Sequence, residues 1–144
     1  METVAAIALS LILPSPAWAS TGEEAWLAAN LDTTARYAAR VEMCRPGFAA
    51  NLPPLDPALD AALRCTFRAL ADAHGEQAAQ TEIARARFDD ATPLGLLLGL
   101  RPPSADDMAL SDAADSCELF EAALDSPMMT MLVDRVGSGC GSVW

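Results

Sequence analysis

The chain has 144 residues, and its 20 acidic residues against nine basic ones give a formal net charge of −11 at neutral pH. Its length fits a single domain, and a hydrophobic content of 52% places it among globular rather than disordered proteins. Because so acidic a chain repels phosphate groups, nucleic acid and anionic membrane surfaces are excluded as expected partners.

The first 19 residues have the pattern of a secretory signal peptide. An apolar run that begins at Val4 is followed by a proline break and by Ala17-Trp18-Ala19, a small-residue cleavage site. The run lacks a preceding basic residue, which a true start codon upstream of Met1 would explain, and it is short for a membrane span. We expect residues 1–19 to be removed and residues 20–144 to form one helical domain. A buried N-terminal helix of a cytosolic protein is the alternative.

The first helix of the domain is predicted to begin at a capping box formed by Thr21 and Glu24 and to end near Cys44. Helical spacing predicts an inward face that contains Leu27, Leu31, Thr34, Ala38 and Val41, with Trp26, Tyr37 and Cys44 on its flank. Residues 48–55 follow, and their prolines favour a non-helical loop that lets two helices pack as a hairpin.

The stretch from Asp56 to Gly75 is the clearest helix in the sequence. Asp56 suits the N-cap, Pro57 the first helical position and Gly75 the stop after the last turn. One face at helical spacing contains Leu59, Ala62, Leu63, Thr66, Phe67 and Leu70. The opposite, solvated face is predicted to carry a ladder of weak i,i+4 pairs made by Asp60, Arg64 and Arg68, with Cys65 on the flank.

Further helices are predicted over residues 76–88, within the apolar run 94–100, and over residues 112–125 and 127–137. The helix at 76–88 should bury Ala79, Ile83 and Phe88. The predicted caps are Thr92 before Pro93, a capping box of Ser104 with Asp107, and Ser126 before the last helix.

The last two helices have apolar faces that complete the predicted core. The inward residues of the segment 112–125 are expected to be Ala113, Cys117, Phe120 and Leu124. The last helix presents Met128, Met129, Leu132, Val133 and Val136. The expected fold is therefore all-α, a small bundle of four to six helices stapled by two disulfides.

The two disulfides are expected from four cysteines, an even set in a chain with an export signal: Cys44, Cys65, Cys117 and Cys140. No C-x-x-C pair is present and His74 is the only histidine, which argues against a bound metal and a c-type haem. Three pairings are open. The similar spacings favour Cys44 with Cys65 and Cys117 with Cys140, and the chain is expected to be periplasmic or secreted.

The negative charge is concentrated in the C-terminal part of the chain. From Asp89 onward there are ten acidic residues and two arginines. Such a face is often only a solubilising surface, and otherwise it favours a basic protein partner. The candidate partner-binding residues are Asp106, Asp107, Asp112, Asp115, Glu118, Glu121 and Asp125.

Residues with catalytic or metal-binding chemistry are few. His74 lies beside a C-terminal glycine, where histidine commonly serves the helix dipole, and the pairs Asp89-Asp90 and Asp106-Asp107 lie at helix borders, where carboxylates cap. Met128 and Met131 have a spacing that could hold Cu(I), but core packing is the simpler interpretation. No catalytic residue, metal or cofactor is expected.

These observations predict an exported, non-catalytic protein-binding domain without stable membrane insertion, such as an inhibitor, an immunity-type protein or a chaperone-like accessory protein. Its partner would be another exported protein, of basic character. The alternative is a small carrier of lipid or another apolar ligand, with a helical cavity lined by residues 94–100 and 128–136. An enzyme would need His74 or an aspartate pair to face a pocket.

Overall fold

A computed structural model describes residues 17–89, 93–97 and 107–137, and within these ranges it contains eight helices and no strand. The helices are α1 (Ala17–Cys44), α2 (Phe48–Asn51), α3 (Pro57–His74), α4 (Glu76–Asp89), α5 (Pro93–Leu97), α6 (Met108–Ser116), α7 (Leu119–Asp125) and α8 (Pro127–Gly137). The predicted all-α class is confirmed, and the described helices outnumber the expected four to six because α2, α5 and α7 are short.

Helix α1 is the element around which the others pack, since it contacts α2, α3, α4, α5 and α8. It begins at Ala17, so Thr21 lies inside the helix rather than before it. Its buried arc is wider than predicted: Trp26 and Tyr37, expected on the flank, are 0% and 1% exposed and belong to the core. A helix surrounded by neighbours buries more than one stripe.

The wide buried arc of α1 includes polar side chains that bond to its own backbone. Asn30 donates from Nδ2 to the Trp26 carbonyl at 3.0 Å, and the Thr33 hydroxyl donates to the Ala29 carbonyl at 3.1 Å. Such i−4 bonds satisfy a buried donor without a partner from another helix. They explain how the polar side of α1 enters the core.

The prediction for α3 is confirmed. Its six predicted inward residues are all buried, and Gly75 follows the last turn with φ 90°. The Asp56 carboxylate accepts a hydrogen bond from the Leu59 N–H at 3.2 Å, as an N-cap does. Helix α3 packs against α1 as in the predicted hairpin, with the Trp26 and Phe67 rings 5.8 Å apart between centroids.

The arginine face of α3 differs from the predicted exposed ladder. Arg64 pairs with Asp60 at 2.6 Å as predicted, but it also contacts Glu23 and Glu24 of α1. Arg68 donates two hydrogen bonds to Glu23, at 2.8 and 2.9 Å. These bonds lower the pKa of Glu23 below its ordinary value, although burial opposes them. The face therefore joins α3 to α1 instead of facing water alone.

The helix boundaries of two segments differ from the prediction. Residues 48–55 are not all loop, because Phe48–Asn51 form one helical turn before the prolines, with Phe48 5% exposed. The predicted helix 112–125 breaks at Cys117 and Glu118, where Glu118 adopts a left-handed φ of 54°. The break changes which residues face inward: Leu119 and Ala123 are buried, whereas Leu124 is 76% exposed.

Some sequence predictions lie outside the described residues. These are Thr92, residues 98–100 of the apolar run, Ser104, Asp106 and the tail that contains Cys140. The side chains of Phe88 and Val136 are also outside the described part. Of the apolar run, Leu94 is described and lies in the core.

Ser126 connects the starts of two helices. Its hydroxyl accepts a hydrogen bond from the Met129 N–H at 3.3 Å, which confirms the predicted N-cap of α8, and donates to the Asp56 carboxylate at 2.5 Å. Burial alone would raise the pKa of Asp56, but the bonds from Ser126 and the Leu59 N–H outweigh it and lower that pKa.

Replacing Ser126 by alanine is expected to lower the free energy of unfolding by about 1–3 kcal/mol, because the buried hydroxyl serves the caps of both α3 and α8. Urea denaturation followed by circular dichroism measures this loss. The exposed Ser111 on α6 provides the matched control, and Ser111→Ala should change stability by less than about 0.5 kcal/mol. Equal stability of the two variants would contradict the shared cap.

Candidate partner-binding surface

A disulfide joins the middle of α3 to the junction between α6 and α7. It links Cys65 and Cys117, whose Cα atoms are 5.8 Å apart, and therefore overturns the predicted pairings Cys44 with Cys65 and Cys117 with Cys140. The physical reason is helix packing: α3 lies against both α6 and α7, which brings residues 52 positions apart into bonding distance. Sequence spacing carries no information about such neighbours.

The disulfide lies in a surface groove of about 400 Å³ between α3 and α7, here called the acidic groove. The α3 wall consists of small side chains, and the α7 side carries carboxylates. The lining residues are Ala58, Ala61, Ala62, Cys65, Cys117, Glu118, Glu121, Ala122 and Asp125. The small alanines leave the carboxylates and the exposed Cys65 accessible from outside.

The structure brings together three of the seven predicted partner-binding residues, namely Glu118, Glu121 and Asp125 in the acidic groove. Asp112 and Asp115 are also exposed, but Asp112 lines a different cleft, between α3 and α6. Asp106 lies outside the described residues. The five exposed members of the predicted set therefore form one compact group of three, with two outlying members on α6.

Asp107 has a structural position rather than a surface one. It is 4% exposed, and its carboxylate accepts a hydrogen bond from Arg85 of α4. Arg85 also donates to Glu82 at 2.6 Å. Burial alone would lower the pKa of Arg85, but the bonds to Asp107 and Glu82 outweigh it and raise that pKa. The cluster joins α4 to the start of α6, and Asp107 is unavailable to a partner.

The exposed carboxylates between residues 112 and 125 differ from Glu23 and Asp107 because they pair with no basic side chain in the described part of the chain. None of the five makes an ion pair with any residue in the described ranges: Asp112, Asp115, Glu118, Glu121 and Asp125. Residues 107–134 contain seven acidic residues and no basic one. Their negative potential is therefore open to solvent.

A second groove, of about 760 Å³, lies on the other side of α7 and is here called the apolar groove. Its lining is largely hydrophobic and comes from α7, α8 and the loop before α3: Pro53, Ala123, Leu124, Pro127, Met129, Thr130, Met131, Val133 and Asp134. Leu124 is 76% exposed and Val133 is 47% exposed. The sequence prediction assigned both side chains to the inward faces of their helices.

The apolar groove contains only part of the predicted cavity for an apolar ligand, since five residues of the segment 128–136 line it. That cavity was expected between residues 94–100 and 128–136, but Leu94 is fully buried and does not line the apolar groove. Of the two methionines whose spacing could hold Cu(I), Met128 is 3% exposed and belongs to the core, whereas Met131 is half-buried and lines the apolar groove. The apolar groove is an open surface feature made by the outer side of α8.

His74 and Asp112 line one small cleft of about 150 Å³ with Ser116. Within the described side chains, no group of three or more histidine, cysteine, aspartate or glutamate residues is arranged to hold a metal ion.

No known protein family, curated protein or solved structure matches the chain. None of the helices described is both long and apolar enough to cross a membrane. The two grooves beside α7 are therefore the features from which a function can be argued.

Proposed function

We propose that this chain is an exported, non-catalytic protein-binding domain that uses its acidic C-terminal half to bind a basic partner protein. An inhibitor, an immunity-type neutraliser and a chaperone-like accessory protein all fit this description. The observation that carries the proposal is the set of exposed carboxylates on α6 and α7 that lack a cation among the described residues.

Some carboxylates elsewhere in the fold hold helices together. Glu23 pairs with Arg64 and Arg68, and Asp107 pairs with Arg85. Five carboxylates on two consecutive helices without such pairs concentrate negative potential on one side of α7, which steers a basic protein toward it and speeds association. A solubilising surface alone would not need the groove in which three of them meet.

The scaffold beneath these carboxylates is held in place before a partner arrives. The Cys65–Cys117 bridge fixes the α6–α7 junction to α3, and α7 packs on α3 and α8. A rigid binding surface loses little conformational entropy on association, so that more of the contact energy appears as affinity.

Export is supported by the Cys65–Cys117 bridge, because disulfides persist mainly in oxidising compartments. We place the mature domain, residues 20–144, in the periplasm or outside the cell. Cleavage after Ala19 would shorten α1 by its first three residues, before the buried contacts of Glu23 and Trp26 begin. A second bridge within the chain would have to join Cys44 and Cys140, the two cysteines that remain, and we include it in the proposal.

The proposal is tested by neutralising the five carboxylates together with asparagine and glutamine. In capture experiments on the extracytoplasmic fraction of the native organism, the wild-type domain should retain a stoichiometric basic protein at low salt and lose it as salt rises. The neutralised variant should capture at least about tenfold less. The matched control replaces Asp32 and Asp72, exposed acids of α1 and α3, by asparagine and should capture as the wild type does. Unchanged capture of the basic protein by the neutralised variant would contradict the proposal.

The apolar groove provides the observation that favours the second candidate, a small carrier of lipid or another apolar ligand. Its open position on the surface favours a protein contact over a buried ligand, because ligand sites usually enclose most of the ligand surface. Native mass spectrometry of the purified protein separates the two candidates. Lipid bound stoichiometrically to the wild type, and absent from a variant with Leu124 and Val133 replaced by serine, would favour the carrier.

A further inference from the structure

The acidic and apolar grooves lie on opposite sides of one short helix, α7. Asp125 lines the acidic groove, and the preceding residue, Leu124, lines the apolar groove. Ala123 and Leu119 hold α7 in the core from below. A partner that rests on the exposed ridge of α7 therefore reaches apolar and acidic side chains within one helical turn.

The apolar groove presents two large hydrophobic side chains that the fold itself leaves uncovered. Leu124 comes from α7 and Val133 from α8, and Pro53 and Pro127 line the same depression. A single exposed leucine is ordinary, but apolar side chains from two helices and a loop that line one groove form a contiguous patch. Such grooves between helices commonly receive the apolar face of another helix.

The charge around the apolar groove determines which helix fits. Asp134 lines the groove, Asp125 follows Leu124, and none of the lining residues named above is basic. An acidic amphipathic helix would meet like charges at this rim, whereas lysine or arginine beside its apolar stripe would be attracted.

We propose that the apolar groove binds an amphipathic helix of the partner, whose apolar stripe packs on Leu124 and Val133 and whose basic residues pair with Asp125 and Asp134. The inference rests on the proposed function, which it extends from a basic partner to a particular partner segment. Apolar contact supplies affinity, and the carboxylates supply orientation and the preference for basic sequences.

The probe is a designed leucine–lysine peptide of about five helical turns, with leucines at i, i+3, i+4 and i+7. Two further peptides serve as comparisons: a glutamate version with the same apolar stripe, and a scrambled leucine–lysine peptide without a stripe. Calorimetric titration of the full domain at low and moderate salt should show the amphipathic basic peptide binding at least about tenfold more tightly than either comparison.

Variants locate the contact. Leu124→Ser combined with Val133→Ser should weaken the amphipathic basic peptide at least about tenfold, because two apolar contacts are lost. The matched control is Met43→Ser, which removes a side chain 82% exposed on α1, and it should leave the affinity unchanged. Leu124, Val133 and Met43 are all exposed, so their substitution should leave the fold intact, and circular dichroism checks this.

The outcomes separate this inference from the proposed function. Equal binding of the scrambled and amphipathic lysine peptides would overturn the groove inference and leave the acidic surface as the binding feature. Equal binding of the lysine and glutamate peptides would overturn the role of charge, and with it the proposed function. Self-association of the wild type that Leu124→Ser with Val133→Ser abolishes, measured by light scattering, would show that a second copy covers the groove and would also overturn the inference.

Discussion

Replacing Cys65 and Cys117 together by serine is expected to lower the free energy of unfolding by about 4 kcal/mol. The two cysteines are 52 positions apart in the sequence, so their bond removes much of the loop entropy of the unfolded chain. For a domain with a total stability of about 5–15 kcal/mol, such a loss approaches the whole margin. Urea denaturation of the variant and the wild type under non-reducing conditions measures it.

Because both cysteines are replaced, the variant carries no new free thiol at this bridge. The control variant introduces a serine at another position of the same groove. Ala61 is an exposed lining residue of the acidic groove on α3, and Ala61→Ser should change stability by less than about 0.5 kcal/mol. A loss below about 1 kcal/mol in the cysteine variant would contradict a stabilising bridge between α3 and the α6–α7 junction.

Arg85→Met is expected to lower the free energy of unfolding by about 3–5 kcal/mol at neutral pH, because it removes a cation that bonds to two nearly buried carboxylates. The side chains of Glu82 and Asp107 are 8% and 5% exposed, and both bond to Arg85. Methionine keeps the length and apolar character of the stem, so the loss reports the charge rather than a cavity. Thermal and urea denaturation both provide the measurement.

Arg87, two residues further along α4 and exposed, provides the matched control. Arg87→Met should change stability by less than about 0.5 kcal/mol. A triple variant, Arg85→Met with Glu82→Gln and Asp107→Asn, should regain part of the loss because no unpaired charge remains. Similar effects of the two arginine substitutions would contradict the buried cluster.

Helices α3 and α8 could be predicted from the sequence because their signals are local. Asp56 and Ser126 cap their own helices through residues three positions ahead, and the α3 stripe has one phase over its whole length. The ends of α1 and α4 were also close to the prediction, apart from the extra turn that begins α1 at Ala17. Where caps and periodicity agree, tertiary packing does not need to be known.

The disulfide pairing and the break between α6 and α7 could not be predicted in this way. Both depend on which helices become neighbours: Cys65 meets Cys117 because α3 packs on both α6 and α7. Glu118 adopts its left-handed conformation at the same junction, without a glycine or proline that would have signalled a break. The prediction treated residues 112–125 as one uninterrupted helix and therefore placed Leu124 in the core.

The candidate binding surface was predictable in its charge but not in its shape. Asp112, Asp115, Glu118, Glu121 and Asp125 were predicted as partner-binding residues, and all five are exposed. Asp107 was also predicted as a partner-binding residue, but it is buried and bonds to Arg85, which lies 22 residues earlier in the sequence. Five residues of the segment 129–134 line the apolar groove and were predicted as one wall of a cavity, whereas the exposure of Leu124 follows from the break before α7 and was not predicted.

The proposed binding function requires an exported domain in which α3 is bonded to the α6–α7 junction. The most direct measurement is the intact mass and non-reducing peptide map of protein expressed with its own leader and recovered from the periplasm. We expect a chain that begins at Ser20 and a linked peptide pair containing Cys65 and Cys117. An uncleaved chain with free thiols, or a peptide that links Cys44 to Cys65, would contradict the proposal.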